Sequence, residues 1–305
     1  MIQPPALHVG DSVALVATAR KITPDDVASA QRLFTAWGLK VLLPEGLYAA
    51  DGQLAGSDSH RTALFQQLLD DDAVRAIVCV RGGYGTVRMV DGLCLDHFAQ
   101  HPKWVVGYSD VTVLHSHLLR HGGVQTLHAT MPLNIPADAY RCEYPSTEAL
   151  RRALFGEDID YRFASHPLNR CGVAQGEVVG GNLSVLYSLV ASPSEVAWRD
   201  RILFIEDLDE YLYHIDRMMQ NLRRSGRLRQ LRAVVVGGMT DMHDNAVPFG
   251  RTAEQIVRDA VADYDYPICF SAPFGHIGTR NLALPMGARC SLDITPDGTR
   301  LTVIK

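Results

Sequence analysis

A serine stands at position 109 in the stretch Trp104-Val105-Val106-Gly107-Tyr108-Ser109-Asp110-Val111-Thr112, where an apolar strand pattern runs directly into a helical one. So short a turn projects the Ser109 hydroxyl from the end of the strand, and the N–H of Asp110, at the start of the helix, faces the same space. A nucleophile and half of an oxyanion hole would look like this. The stretch departs from G-x-S-x-G because Val111 occupies the second glycine position. Spacing alone equally accommodates Ser109 and Asp110 as plain helix caps. Upstream, residues 81–85 read R-G-G-Y-G after another apolar run. Glycines there leave several N–H groups uncovered by Cβ atoms, able to hold an anion or a developing oxyanion. A dinucleotide fingerprint counted from Gly83 and Gly85 would need a glycine at position 88, which is Arg88, and no G-K-[ST] follows. Nucleotide phosphate is therefore disfavoured, while a tight turn needing positive φ fits either use.

A serine hydroxyl needs a base, and the chain holds 12 histidines. His115, His117 and His121 share the helix after Ser109, but positions 115 and 117 face different sides, so packing or surface roles are expected for them. His276 lies in S-A-P-F-G-H-I-G-T-R-N, an irregular Pro/Gly loop after an apolar run, which is where an accessible base would be mounted. Glu206 directly continues the apolar run Arg201-Ile202-Leu203-Phe204-Ile205. A carboxylate at that depth requires a partner; Asp207, Asp209 and Glu210 read more naturally as helix-start acids. Arg81 and Arg88 flank the glycine turn. Either could bind a substrate carboxylate, and either could serve structure alone.

The elements that must position these residues alternate β and α through the first half. Strands are expected over 12–17, 41–43, 76–80 and 104–106, with helices over 24–37, 60–69 and 111–119. Such a series predicts an α/β fold whose N-terminal domain is a doubly wound, mainly parallel sheet, with chemistry outside the carboxyl ends of its strands. Prolines 132, 136, 145 and 167 punctuate the stretch that follows, in which one helix is expected over 147–154. The domain reading is 1–138 for the α/β domain, 139–170 for a connection, and 171–305 for a β-rich C-terminal domain. The latter has strands near 174–179, 201–205, 233–236 and 267–270, helices near 183–190 and 211–224, and a closing hairpin about the P-D-G of C-S-L-D-I-T-P-D-G-T-R-L-T-V-I-K.

Composition sets the outer bounds. The 305 residues are 47% hydrophobic and 21% charged, with a formal net charge of −5 and no basic block. Partners of nucleic-acid or anionic-membrane type are therefore not expected. No uninterrupted apolar run reaches the roughly 18 residues of a membrane span, and the first twenty residues lack a charged region before an apolar core, so a cytoplasmic location is expected. Six cysteines without a C-x-x-C pair are expected to be buried free thiols rather than a disulfide framework or zinc knuckle.

Taken together, R-G-G-Y-G, G-Y-S-D-V-T, G-G-N-L at 180–183, L-F-I-E-D, I-D-R-M at 215–218, G-H-I-G-T-R-N-L-A-L-P-M-G at 275–287 and G-Q-L-A-G-S-D at 52–58 resemble the LD-carboxypeptidase family of serine peptidases. The motifs run in order over nearly the whole chain. The resemblance implies a Ser109–Glu206–His276 triad, with an oxyanion hole from the N–H groups of Asp110 and Gly83; beside it, Arg81 and Tyr84 of the glycine turn are candidate substrate contacts. It further implies removal of the terminal D-alanine from murein tetrapeptides in cell-wall recycling, no metal or cofactor, and a homodimer. Two stretches depart from the family, A-T-A-R at 17–20 and 237–250; both bear on substrate walls. The rival readings are a microcin-immunity-type hydrolase of aminoacyl-nucleotide conjugates, a non-catalytic small-ligand binding protein, and a Rossmann oxidoreductase.

Overall fold

The computed structural model of the protein describes residues 1–304. It divides into two compact units: Met1–Asp158 with Gly278–Met286, and Ile159–Ile277 with the residues from Gly287 onward. In the first unit β1 (Ser12–Val16) leads to α1 (Pro24–Ala36), β2 (Lys40–Leu42), α2 (Asp58–Asp70), β3 (Val74–Cys79), α3 (Asp96–Gln100), β4 (Trp104–Gly107), α4 (Thr112–His121), β5 (Thr126–His128) and α5 (Pro145–Leu154). The start of α1 follows from its residues. The Thr23 N–H donates to Asp26 Oδ2 at 2.7 Å, closing a capping box, and Pro24 supplies the preset φ of a first helical residue. Gly38, at φ +79°, ends the helix. Its inner face buries Val27, Leu33 and Phe34, each contributing about 1.5–3 kcal/mol of transfer free energy.

The second unit holds β6 (Asp160–Phe163), β7 (Gly172–Asn182), α6 (Leu183–Ser188), β8 (Arg201–Leu208), α7 (Leu212–Arg224), β9 (Ala233–Thr240), α8 (Ala253–Ala260) and β10 (Ile268–Cys269). The chain then returns to the first unit for β11 (Leu284–Met286) and finishes in the second with β12 (Arg289–Thr295) and β13 (Gly298–Val303). Residues 139–170, expected as a connection, thus place α5 in the first unit and β6 in the second.

The first sheet has the order β11-β5-β4-β3-β1-β2, and only β11 runs antiparallel to its neighbour. Pro285 is tolerated in β11 because that strand is an edge. The second sheet, β10-β9-β8-β7-β12-β13-β6, is parallel from β10 to β7 and antiparallel beyond. The expected α/β series and the terminal hairpin are both present, Thr295 pairing with Gly298 across the turn. Helices α3 and α8 and the strands β5, β6 and β11 lie outside the expected elements. For α8 a signal exists: Thr252 and Gln255 form a capping box ahead of Ile256, Val257 and Ala260, all buried. Three cysteines are buried as expected, but Cys94, Cys142 and Cys171 are exposed. Among the described residues no helix is long and apolar enough to cross a membrane.

Candidate active site

In the first unit three adjacent parallel strands, β4, β3 and β1, deliver their carboxyl ends side by side. Ser109 follows β4, the R-G-G-Y-G turn follows β3, and the A-T-A-R stretch follows β1. Ser109 takes φ +64°, a left-handed conformation that costs a non-glycine residue about 1–3 kcal/mol and persists only where its surroundings enforce it. They do so here. The Gly107 carbonyl accepts bonds from the Ala129 N–H at 3.1 Å and from His115 Nε2 at 2.9 Å, while Tyr108 donates its hydroxyl to Asn134 Oδ1 at 3.0 Å. A Cβ on Gly107 would come within 2.9 Å of both Val111 γ carbons, so strand and helix meet with no spare room. Beyond Ser109 a short 3-10 turn, Ser109–Val111, runs into α4. The Asp110 N–H therefore belongs to a helix's first turn, where N–H groups lack an intrahelical acceptor.

The glycine turn lies directly on this serine. A Cβ on Gly82 would sit 2.9 Å from Ser109 Cβ, 3.0 Å from Oγ and 3.3 Å from the Asp110 nitrogen. Gly82 is thus the glycine that permits the approach. Gly83 (φ +109°) faces the Arg20 side chain, with its hypothetical Cβ 2.7 Å from Arg20 Cδ and 2.8 Å from Nε. The Asp110 carboxylate is buried and accepts the Thr86 N–H at 2.9 Å. Burial pushes its pKa up against the opposing hydrogen bonds from Thr86. Asp110 therefore ties the two turns together through its side chain as well as offering its N–H. Arg61, buried under the same turn, donates to the carbonyl oxygens of Thr18 and Gly85 and pairs with Asp58.

The second unit brings Glu206 and His276 together. Glu206 is fully buried on β8, and its Oε2 accepts His276 Nδ1 at 2.6 Å and the His276 N–H at 3.2 Å. Two glycines make the approach possible. A Cβ on Gly275 (φ +98°) would fall 2.6 Å from Glu206 Oε2, and one on Gly237 would fall 2.4 Å from the Phe274 carbonyl oxygen. The β8/β9 ladder slips register between Ile205 and Asp207, a bulge that bends the strand where the carboxylate leaves it. Burial works against protonation of His276, yet the hydrogen bond to Glu206 and the charges of Glu206 and Asp207 outweigh it and raise its pKa. Asp207 is held by Asn182 Nδ2 at 2.8 Å and by the N–H groups of Ser184 and Leu208 at 2.9 Å each. Burial, and then the neighbouring Glu206 charge, push it up to about 7.

The remaining candidates fall as follows. Arg81 donates to the Lys21 carbonyl at 3.4 Å, Tyr84 is exposed, and Arg88 forms a surface ion pair with Asp58 at 2.8 Å. His115 is fully buried between Gly107 and Thr126, and burial lowers its pKa to about 4, which makes it a packing residue as expected. His117 is also buried, while His121 packs against its ring at 4.5 Å. Sequence reasoning placed Gly82 in a turn and Gly275 in a loop but missed the side chains each makes room for, the spacer role of Gly237 and the placement of Arg20. The G-G pair at 237–238 is visible in the sequence, but nothing local ties it to Phe274 or Glu206.

Residues 13–129 match the sequence profile of the LD-carboxypeptidase N-terminal domain, and residues 175–292 match that of the LD-carboxypeptidase C-terminal domain. The chain is 35% identical over 299 residues to a probable murein peptide carboxypeptidase of Bacillus subtilis (strain 168), covering 95% of this chain and 91% of that protein. It is 30% identical to the murein tetrapeptide carboxypeptidase of Pseudomonas aeruginosa, covering 92% of each. Among solved structures, the muramoyltetrapeptide carboxypeptidase from Oxalobacter formigenes shares the fold with a TM-score of 0.85 at 24% identity, covering 96% of this chain and 99% of that one. An MccF-like protein from Bacillus anthracis str. Ames shares it with a TM-score of 0.84 at 20% identity over 100% of both chains.

Proposed function

The chain belongs to the LD-carboxypeptidase family of serine peptidases, and on that premise we propose that it removes the terminal D-alanine of murein tetrapeptides through an acyl-enzyme on Ser109. The observation that carries the reading is the imidazole of His276 anchored at Nδ1 by a carboxylate that is itself fully buried. An imidazole held this way is fixed in tautomer and orientation, and its other nitrogen, Nε2, is the proton acceptor.

The steps follow from those roles. Ser109 Oγ attacks the scissile carbonyl carbon as His276 takes its proton. The oxyanion is met by the Asp110 N–H and by N–H groups of the glycine turn, with Gly83 the assigned second donor. Collapse breaks the C–N bond, His276 returns the proton to the departing amine, and D-alanine leaves. Water, deprotonated by His276, then attacks the ester, releasing the tripeptide and restoring Ser109. Glu206 stabilises the imidazolium in both halves. No step calls for a metal or organic cofactor.

The names of two relatives, murein peptide and murein tetrapeptide carboxypeptidase, support the substrate class. A cytoplasmic homodimer is part of the same proposal, and sedimentation of the purified protein tests the dimer. The deciding experiment is incubation with murein tetrapeptide followed by chromatography with mass detection. Loss of one alanine is expected. Preferential cleavage of an aminoacyl-nucleotide conjugate would instead assign the chain to the microcin-immunity type, and no hydrolysis of either by folded protein would overturn the reading.

A further inference from the structure

Removing one terminal residue requires recognition of the carboxylate just beyond the bond that is cut, and the first unit offers several cations for that task. Arg61 is buried and committed to Thr18, Gly85 and Asp58. Arg88 is committed to Asp58, with its own pKa raised first by that hydrogen bond. Arg81 rests on the Lys21 carbonyl. Arg20 differs from all three. It is exposed, and among the described residues its guanidinium has no hydrogen-bond or ion-pair partner. Its side chain nonetheless runs over Gly83, where a Cβ would meet Cδ at 2.7 Å, Nε at 2.8 Å and Cγ at 2.9 Å.

That position lies next to the nucleophile. Gly83 and Gly82 are consecutive, and Gly82 faces Ser109 Oγ at a hypothetical Cβ distance of 3.0 Å. Strands β1, β3 and β4 are consecutive in the sheet, so the chain ends bearing Arg20 and Ser109 stand two strand spacings apart, roughly 10 Å. A long arginine side chain on one of these chain ends is of a length to span that interval. In a peptide the carboxylate carbon of the residue after the scissile bond lies about 3–4 Å from the scissile carbonyl carbon, and its outer oxygen within about 5 Å. A guanidinium donating to that carboxylate at about 2.8 Å would bridge the remaining interval, and this is the role assigned to Arg20 below. The charge of Arg20 also reaches Asp110, where it opposes the upward shift that burial causes.

We infer that Arg20 is the specificity residue for the free terminal carboxylate of the substrate, held in place by the bare Gly83 backbone. This rests on the peptidase reading above and assigns a function to the A-T-A-R stretch by which this chain departs from its family. The test separates the two. The Ser109→Ala protein, unable to turn substrate over, is titrated calorimetrically with murein tetrapeptide and with its terminal carboxamide. The free acid is expected to bind roughly ten- to a hundredfold more tightly than the amide. In Ser109→Ala/Arg20→Gln that ratio should fall toward one through weakening of the acid alone, while Ser109→Ala/Arg20→Lys retains part of it. An unchanged ratio in the Arg20→Gln background, or equal binding of acid and amide before Arg20 is altered, overturns the assignment. Equal weakening of acid and amide, with the ratio intact, also overturns it as a merely structural effect. Failure of the peptidase reading shows separately, as no release of D-alanine by the unmutated protein.

Discussion

The hydroxyl of Ser109 is presented by a backbone that only the surrounding turns hold in the left-handed region. Ser109→Ala leaves that framework in place, so the variant should fold with an unchanged circular dichroism spectrum and lose several orders of magnitude in kcat toward murein tetrapeptide. Substantial residual turnover by pure variant would remove Ser109 from the nucleophile's role. The raised pKa of His276 has a definite sign: the base must be neutral to accept a proton, so the acid limb of kcat/KM should lie above the ordinary histidine value of about 6.5. In Glu206→Gln the imidazolium loses its partner while burial remains, and the limb should move to lower pH as kcat falls. A profile shifted upward, or unmoved, would show that Glu206 does not set the basicity of His276. These residues are legible in the amino-acid sequence because each breaks a local rule: a serine at a change of period, a glutamate ending an apolar run, a histidine among prolines and glycines. Arg20 breaks none. Its proximity to the serine comes from the lateral order of strands β1, β3 and β4, and sequence patterns do not state which strands are neighbours.

Elements meet at the site through missing side chains. Gly82 has no positive φ to require glycine, so the conflict in Gly82→Ala is the new methyl, 2.9 Å from Ser109 Cβ, 3.0 Å from Oγ and 3.3 Å from the Asp110 nitrogen. Its melting temperature should change little, whereas kcat/KM should fall by about 10²-fold through displacement of the nucleophile. Wild-type turnover would mean that the turn yields freely at no functional cost. Helix boundaries such as the Thr23 cap can be read because capping chemistry is local. Strands β5 and β11 cannot, since three-residue segments carry too little periodicity to register. The Gly237 and Gly275 gaps are illegible for another reason: the atom each glycine makes room for lies far along the chain, on Glu206 or Phe274.

At the scale of the whole molecule the chain passes between the units three times, and nine residues, Gly278–Met286, go back to the first one. Replacing them by a glycine–serine linker of equal length should leave β5 as an open edge, lower the melting temperature of the first unit and promote association of that unit. An unaltered melting curve would show that β11 contributes nothing. The same topology orders events in time. A ribosome adds about 5–20 residues per second, so roughly 10–30 s separate the emergence of β5 from that of β11. Throughout that interval the nascent first unit displays an unpaired strand edge while the second unit is still being made. Synthesis thus imposes a waiting period, and the half carrying Ser109 completes its sheet only after the segment bearing His276 has left the ribosome.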